Sequence, residues 1–308
     1  MHVSEPTTPQ IAVSEELFAH LPSGLDLCYQ TFGDSANPPI VLVMGLGGPM
    51  GWWSEKFCTD LAARGFFVTR FDNRDTGRST KLRHHRVTRS DMYKATAKRG
   101  TPPYTLQDMA DDVVGLLDHL RLDTAHIVGI SMGGMIAQTM AISRPERVAS
   151  MTSISSTTGK VRVGWPKPGV VKAMLARSGT TRADYVELAL NLERLIGSPA
   201  FPGDVNVSRR RAMETYDRGR IASGVMRHLL AVLSQEDRTE ALHAVVAPTA
   251  VIHGSVDPLV HKSGGRATAE AIPDSTYLQI AGMGHDLPVQ LDRILIDTIV
   301  NNTLRAAD

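Results

Sequence analysis

The feature that most constrains this chain is a rhythm. Short runs of almost unbroken aliphatic residues recur along it, bounded by glycine or polar turns, with longer amphipathic stretches between them. Residues 39–45 (PIVLVMG), 66–72 (FFVTRFD), 125–130 (AHIVGI), 148–155 (VASMTSIS), 248–254 (PTAVIHG) and 275–282 (STYLQIAG) have the length and composition of central strands covered on both faces. Residues 25–33 (LDLCYQTFG) alternate apolar with polar side chains, as a half-exposed edge hairpin strand does. Between the strands, residues 104–120 place Leu106, Met109, Ala110, Val113, Leu117 and Leu120 at helical spacing, and Thr105 followed by Asp108 has the form of a capping box. Residues 54–65 and 291–304 read as further amphipathic helices. Strand and helix in alternation predict an α/β fold, a mostly parallel twisted sheet flanked by helices.

The rhythm fails once. Residues 169–179, 181–198, 207–219 and 223–235 are four helical patterns in succession with no convincing strand among them. Residues 157–237 are therefore expected to form a helical cap inserted over the carboxyl edge of the sheet, with 1–156 and 238–308 as one core. No internal repeat or low-complexity tract interrupts this organisation.

Composition narrows the function. The 33 Lys+Arg against 32 Asp+Glu leave a net charge of +1, so no global positive field attracts nucleic acid or an anionic membrane. The basic segment 78–100 is expected to be a solvated surface loop. No run of about 18 apolar residues is present to span a bilayer. The first residues lack the pattern of a secretory leader, so the cytoplasm is the expected address and residues 1–10 a loose tail. Cys28 and Cys58 show no metal spacing and are expected to be free, buried thiols. His84 and His85 lie in the basic segment without companion ligands, so no metal is expected. The loop 45–51 (GLGGPMG) imitates a dinucleotide-binding turn, but Met50 stands where the third glycine belongs, and no cofactor is expected.

One stretch carries chemistry. Residues 129–133 read Gly-Ile-Ser-Met-Gly where a buried strand gives way to a helix, a turn that holds its central residue in a strained conformation and exposes its side chain. Gly129 and Gly133 stand where a Cβ would strike the adjoining helix or strand. Ser131 is thus a candidate nucleophile, and a serine hydroxyl needs a base that is itself oriented by an acid. Two later strands run into loops bearing these groups, Asp257 after residues 248–254 and His285 after residues 275–282. Asp286 is the competing acid, but a neighbour in sequence points away from the ring it would have to orient. Asp72, Arg74 and Asp75 are expected to stabilise the loop beside the site, and His253 to be packed and hydrogen-bonded. Backbone N–H groups of Leu46 and Met132 are candidate oxyanion donors. Trp52, Trp53 and Trp165, with Met50, are candidate pocket walls, core packing being the alternative.

These motifs resemble the α/β-hydrolase family of the esterase and lipase type across nearly the whole chain. HGSVDPLV at 253–260 and GMGHDLP at 282–288 are similar to the family's acid and histidine motifs. FDNRDTGRST at 71–80 is similar to its D-x-R-x-x-G-x-S stretch, and the fuller N-R-D-T-G-R-S resembles the aclacinomycin methylesterase branch and related actinobacterial carboxylesterases. One departure is Met44-Gly45 where many members carry His-Gly before the oxyanion residue. The resemblance implies a catalytic triad of Ser131, Asp257 and His285 that cleaves a small-molecule carboxylic ester through an acyl-enzyme without a cofactor. The oligomeric state stays open, a homo-oligomer among the options. Cofactor-free haloperoxidase or C–C hydrolase chemistry uses the same triad, and a non-catalytic ligand-binding protein can share the fold.

Overall fold

Side chains along the central strands alternate between two hydrophobic clusters, one on each face of the sheet. From one strand, Val41 and Val43 enter the first cluster while Ile40 and Leu42 enter the second; from another, Ile127 joins the first and Val128 and Ile130 the second. This two-sided burial is why the runs are continuously apolar. The computed structural model describes residues 11–96, 101–174 and 181–306. The tail expected at residues 1–10 lies outside them.

Among the described residues the strands are β1 (Leu17–His20), β2 (Asp26–Phe32), β3 (Pro39–Val43), β4 (Phe67–Phe71), β5 (Ala125–Ile130), β6 (Val148–Ile154), β7 (Thr249–Gly254) and β8 (Thr276–Ile280). They form one sheet in the order β1-β2-β4-β3-β5-β6-β7-β8, antiparallel at β1, β2 and β4 and parallel from there on. Two sequence expectations are corrected here. The strand at residues 25–33 is not an edge: β2 lies between β1 and β4, and β1 takes the edge. Conversely, β8 is not central; it closes the other edge and is mostly part-exposed. Apolar content alone does not separate an edge strand from an inner one, because neighbours come from distant sequence.

Helices α1 (Glu55–Ala62), α2 (Arg89–Thr96), α3 (Leu106–His119), α4 (Met132–Ser143), α5 (Pro168–Met174), α6 (Arg182–Ile196), α7 (Val205–Asp217), α8 (Ala222–Leu233), α9 (Thr239–Leu242), α10 (Ser263–Ala271) and α11 (Asp292–Leu304) complete the described chain. Phe57 and Leu61 of α1 pack with Leu295 and Ile299 of α11 on one face; α3 and α4 bury Met109, Val113, Met135 and Met140 on the other. The capping box expected at Thr105 and Asp108 is formed in both directions, starting α3.

Helices α5 to α8 occupy the stretch where the rhythm fails. Their own cluster is small, Tyr185, Val186, Leu190 and Ala212, and surface ion pairs such as Arg209 with Glu187 and Arg211 with Glu193 link α6 to α7. The basic segment, whose residues 97–100 lie outside the described ones, is mainly at the surface as expected but is not all loop. It contains α2, and Lys81 Nζ is drawn in to donate to the carbonyls of Thr76, Gly77 and Ser79. Cys28 and Cys58 are free and fully buried, and burial pushes both thiols up to about 12.

Candidate active site

Strand β5 delivers Ser131 to the sheet's carboxyl edge and α4 begins at the next residue. Ser131 holds φ 57° and ψ −119°, a backbone state that costs an L-residue about 1–3 kcal/mol and persists only when its surroundings over-determine it. The surroundings are visible. Ser131 N–H extends the β5–β6 ladder to Ile154 O at 2.8 Å, and Ser156 Oγ donates to Ser131 O at 2.8 Å. A Cβ on Gly129 would collide with the Gly133 carbonyl, and one on Gly133 with the Val43 carbonyl of β3. The serine itself stays half-exposed.

Asp257 and His285 follow the ends of β7 and β8, the second and third strands along the sheet from β5. His285 Nδ1–H donates to Asp257 Oδ2 at 2.7 Å, both side chains being almost fully buried. The other carboxylate oxygen, Oδ1, accepts the N–H groups of Leu259 and Val260 at 2.9 Å each. Burial alone would raise the Asp257 pKa, but the His285 and His253 rings beside it outweigh burial and hold it well below the usual carboxylate range. With Nδ1 committed as donor, Nε2 is the basic nitrogen of a neutral His285. Among the described residues Ser131 Oγ makes no hydrogen bond to it; such bonds are often loose before a substrate closes the geometry.

Asp286 turns elsewhere, accepting from Ser198 Oγ. That contact belongs to a clasp at the end of α6: His285 N–H donates to Ile196 O at 2.7 Å and Gly284 N–H to Ser198 Oγ at 2.8 Å. The end of α6 therefore holds the histidine loop by its backbone. His253 is fully buried, with Nε2–H donating to Val260 O at 2.9 Å and 3.5 Å from Asp257 Oδ2.

The loop after β3 lies against the serine. A Cβ placed on Gly45 would stand 3.2 Å from Ser131 Cβ and 3.8 Å from its Oγ, so the following amide, Leu46 N–H, starts beside the hydroxyl. Met132 is the first residue of α4, ahead of the first helical bond from Met135 N–H to Ser131 O, which leaves its N–H uncommitted to the helix.

Behind that loop, three buried charges after β4 are each clamped. Asp72 accepts from Met50 N–H, Arg78 N–H and the Arg218 guanidinium at 2.8–3.0 Å. Arg74 pairs with Asp112 of α3 through two bonds of 2.6 and 2.7 Å. Asp75 pairs with Arg227 of α8 through two bonds of 2.7 Å, with neither side chain exposed. The sequence expectation for this loop named its charges but not their partners. Arg218, Arg227 and His228 lie about 150 residues away; the available signal was a polar pair, Arg227-His228, inside the otherwise apolar pattern 223–235.

The three tryptophans separate. Trp53 is 1% exposed and packs at 5.4 Å on Phe57 in the core, with Met50 equally buried. Trp52 is 36% exposed; its Nε1–H donates to Thr215 Oγ1 of α7 at 3.0 Å, and Arg211 lies over its ring. Trp165 is 64% exposed in the loop ahead of α5. Among the described residues no group of three or more His, Cys, Asp or Glu side chains is placed to hold a metal ion, and no helix is long and apolar enough to cross a membrane.

Comparison with known proteins agrees with this architecture. The family model of the alpha/beta hydrolase fold matches residues 38–290. Rhodomycin D methylesterase DnrP of Streptomyces peucetius is 28% identical over 294 residues, covering 89% of this chain and 93% of that protein; DauP of Streptomyces sp. strain C5, of the same name, is equally similar. Among solved structures, the enol-lactonase of Burkholderia xenovorans LB400 superimposes with a TM-score of 0.72 at 22% identity, over 94% of this chain and all of that one. The meta-cleavage product hydrolase CumD of Pseudomonas fluorescens IP01 does so at 0.72 and 18% identity, over 96% and 99%.

Proposed function

Because the chain belongs to the α/β-hydrolase fold family, we propose that it is a serine hydrolase that cleaves carboxylic esters of small or lipophilic molecules through an acyl-enzyme. The observation that carries the reading is the 2.7 Å bond from His285 Nδ1 to the buried Asp257 carboxylate, at the same sheet edge as the strained Ser131. His285 Nε2 takes the Ser131 proton as Oγ attacks the ester carbonyl, and Asp257 steadies the imidazolium that forms. The N–H groups of Leu46 and Met132 receive the developing oxyanion, an interaction worth about 2.7–4 kcal/mol per donor in measured cases. The imidazolium returns its proton to the leaving alcohol, and water, activated by the same ring, then releases the acid.

Residues 157–237 act as the cap in this reading, shaping the acyl or alcohol pocket with Trp52 and Trp165 near its wall. The similarity to the two methylesterases makes methyl esters of larger acids the first substrates to try. The deciding experiment compares wild type with Ser131→Ala on p-nitrophenyl acyl esters. The variant is expected to fold with an unchanged circular dichroism spectrum and to hydrolyse at background rate; retained turnover removes Ser131 from the mechanism. A parallel peracid-forming assay separates haloperoxidase chemistry, and failure of a fluorophosphonate probe to label Ser131 points to a non-catalytic binder.

A further inference from the structure

We propose that His228, on helix α8 of the insertion, is a positioning residue that holds the oxyanion loop in its working conformation, so that the insertion contributes to catalysis as well as covering the substrate. The proposal rests on the serine-hydrolase reading above.

Residues 45–48 form a β-turn closed by Gly48 N–H to Gly45 O at 3.3 Å, and Gly47, in its third position, has φ +68°. A positive φ there is the mark of a type II turn, which differs from type I by a flip of the central peptide. Glycine at the third position tolerates either state, so the turn's sequence does not choose between them. The central peptide here is Leu46–Gly47; its flip turns over the Leu46 carbonyl and the Gly47 N–H, and a turn free to flip there holds the preceding Leu46 N–H less rigidly.

What chooses is outside the turn. The first half of the loop is tied to the core, where Asn73 Nδ2–H donates to Met44 O at 2.9 Å and Gly45 rests on Ser131. The second half meets α8. Gly47 N–H, the donor of the central peptide, points to His228 Nδ1 at 3.1 Å, and Val225, one turn earlier, stands 3.0 Å from where a Gly47 Cβ would be.

His228 is suited to accept. Its Nε2–H donates to the Arg74 carbonyl at 2.7 Å, and since a carbonyl only accepts, the proton sits on Nε2 and leaves Nδ1 with a lone pair. The ring is fully buried, and burial pushes its pKa down to about 4, with Arg227 and Arg74 adding to the effect and Asp75 and the Arg74 carbonyl opposing it. It therefore stays neutral around pH 7. The adjacent Arg227–Asp75 pair pins the same turn of α8 to the core.

Two substitutions split the ring's functions. His228→Asn keeps an acceptor near the Nδ1 position but cannot reach Arg74; His228→Gln reaches Arg74 with its amide N–H and presents no acceptor to Gly47. Both are measured for kcat and KM on a p-nitrophenyl ester, for the rate of Ser131 labelling by a fluorophosphonate, and for thermal midpoint. His228→Gln is expected to lower kcat and the labelling rate by roughly 30-fold, below the 10²–10³ lost when an oxyanion donor is removed outright, with KM changed less than about threefold. His228→Asn is expected to recover most of both rates. Equal rates in the two variants, whether both normal or both reduced, overturn the proposal, as does a loss confined to KM or to the thermal midpoint. Failure of the wild-type protein to label at Ser131 is a separate outcome that overturns the serine-hydrolase reading and this inference with it.

Discussion

Two loops at the same edge of the sheet bury aspartates, and they use them oppositely. After β4, Asp72 and Asp75 face guanidinium groups, Arg218 and Arg227. After β7, Asp257 faces imidazoles, His285 at 2.7 Å and His253 at 3.5 Å. A guanidinium does not give up its proton in a protein, so its pairs can only fasten one segment to another. An imidazole gains and loses a proton near neutrality, so the same buried carboxylate can steady a charge that comes and goes. The partner, more than the aspartate, decides whether the cluster is a clamp or part of a reaction.

The largest expected effect breaks the reactive cluster alone. Asp257→Asn is expected to lower kcat on an ester by about 10⁴-fold while the fold stays intact, because the amide favours the wrong tautomer of His285; steady-state kinetics beside circular dichroism check both halves. The clamp should show the reverse. Arg227→Met leaves Asp75 buried and uncompensated and is expected to cost about 3–5 kcal/mol in urea unfolding, with Asp75→Leu added to it regaining on the order of 1–3 kcal/mol. A comparable loss of kcat per folded molecule in Arg227→Met, with stability unchanged, breaks the distinction between the two loops.

A smaller effect sharpens it. The folded-state pKa of Asp257 lies below its unfolded value of about 3.9. The unfolded state therefore binds the extra proton first, and the stability Asp257 supplies is complete above about pH 5 and lost as pH falls through and below 4. Unfolding free energies from urea titrations between pH 6 and pH 3 are expected to fall more steeply for wild type than for Asp257→Asn, by on the order of 1–3 kcal/mol at the acid end; parallel curves remove Asp257 from the acid sensitivity.

Much of the framework was legible because it is local. The capping box at Thr105, the glycines flanking Ser131 and the apolar strand runs are each decided by contacts within a few residues or by a period of two. Strand neighbours were not legible: β2 and β8 exchanged their expected roles because pairing depends on segments far along the chain. Trp53 followed its core alternative although the exposed Trp52 is its immediate neighbour, because successive side chains point in different directions. The clasp of Ile196 and Ser198 on the histidine loop had no local sign at all.

The order of chemistry along the chain, a serine in a glycine turn followed by an acid and then a histidine after later strands, was determined by the sequence itself, since sterics at each turn permit little else. Tertiary structure decided what surrounds them: which arginine neutralises which buried carboxylate, and which helix touches the loop after β3. Those choices join residues 38 to 181 positions apart. They exist only once burial makes an unpaired charge or an unsatisfied amide costly enough to demand a partner.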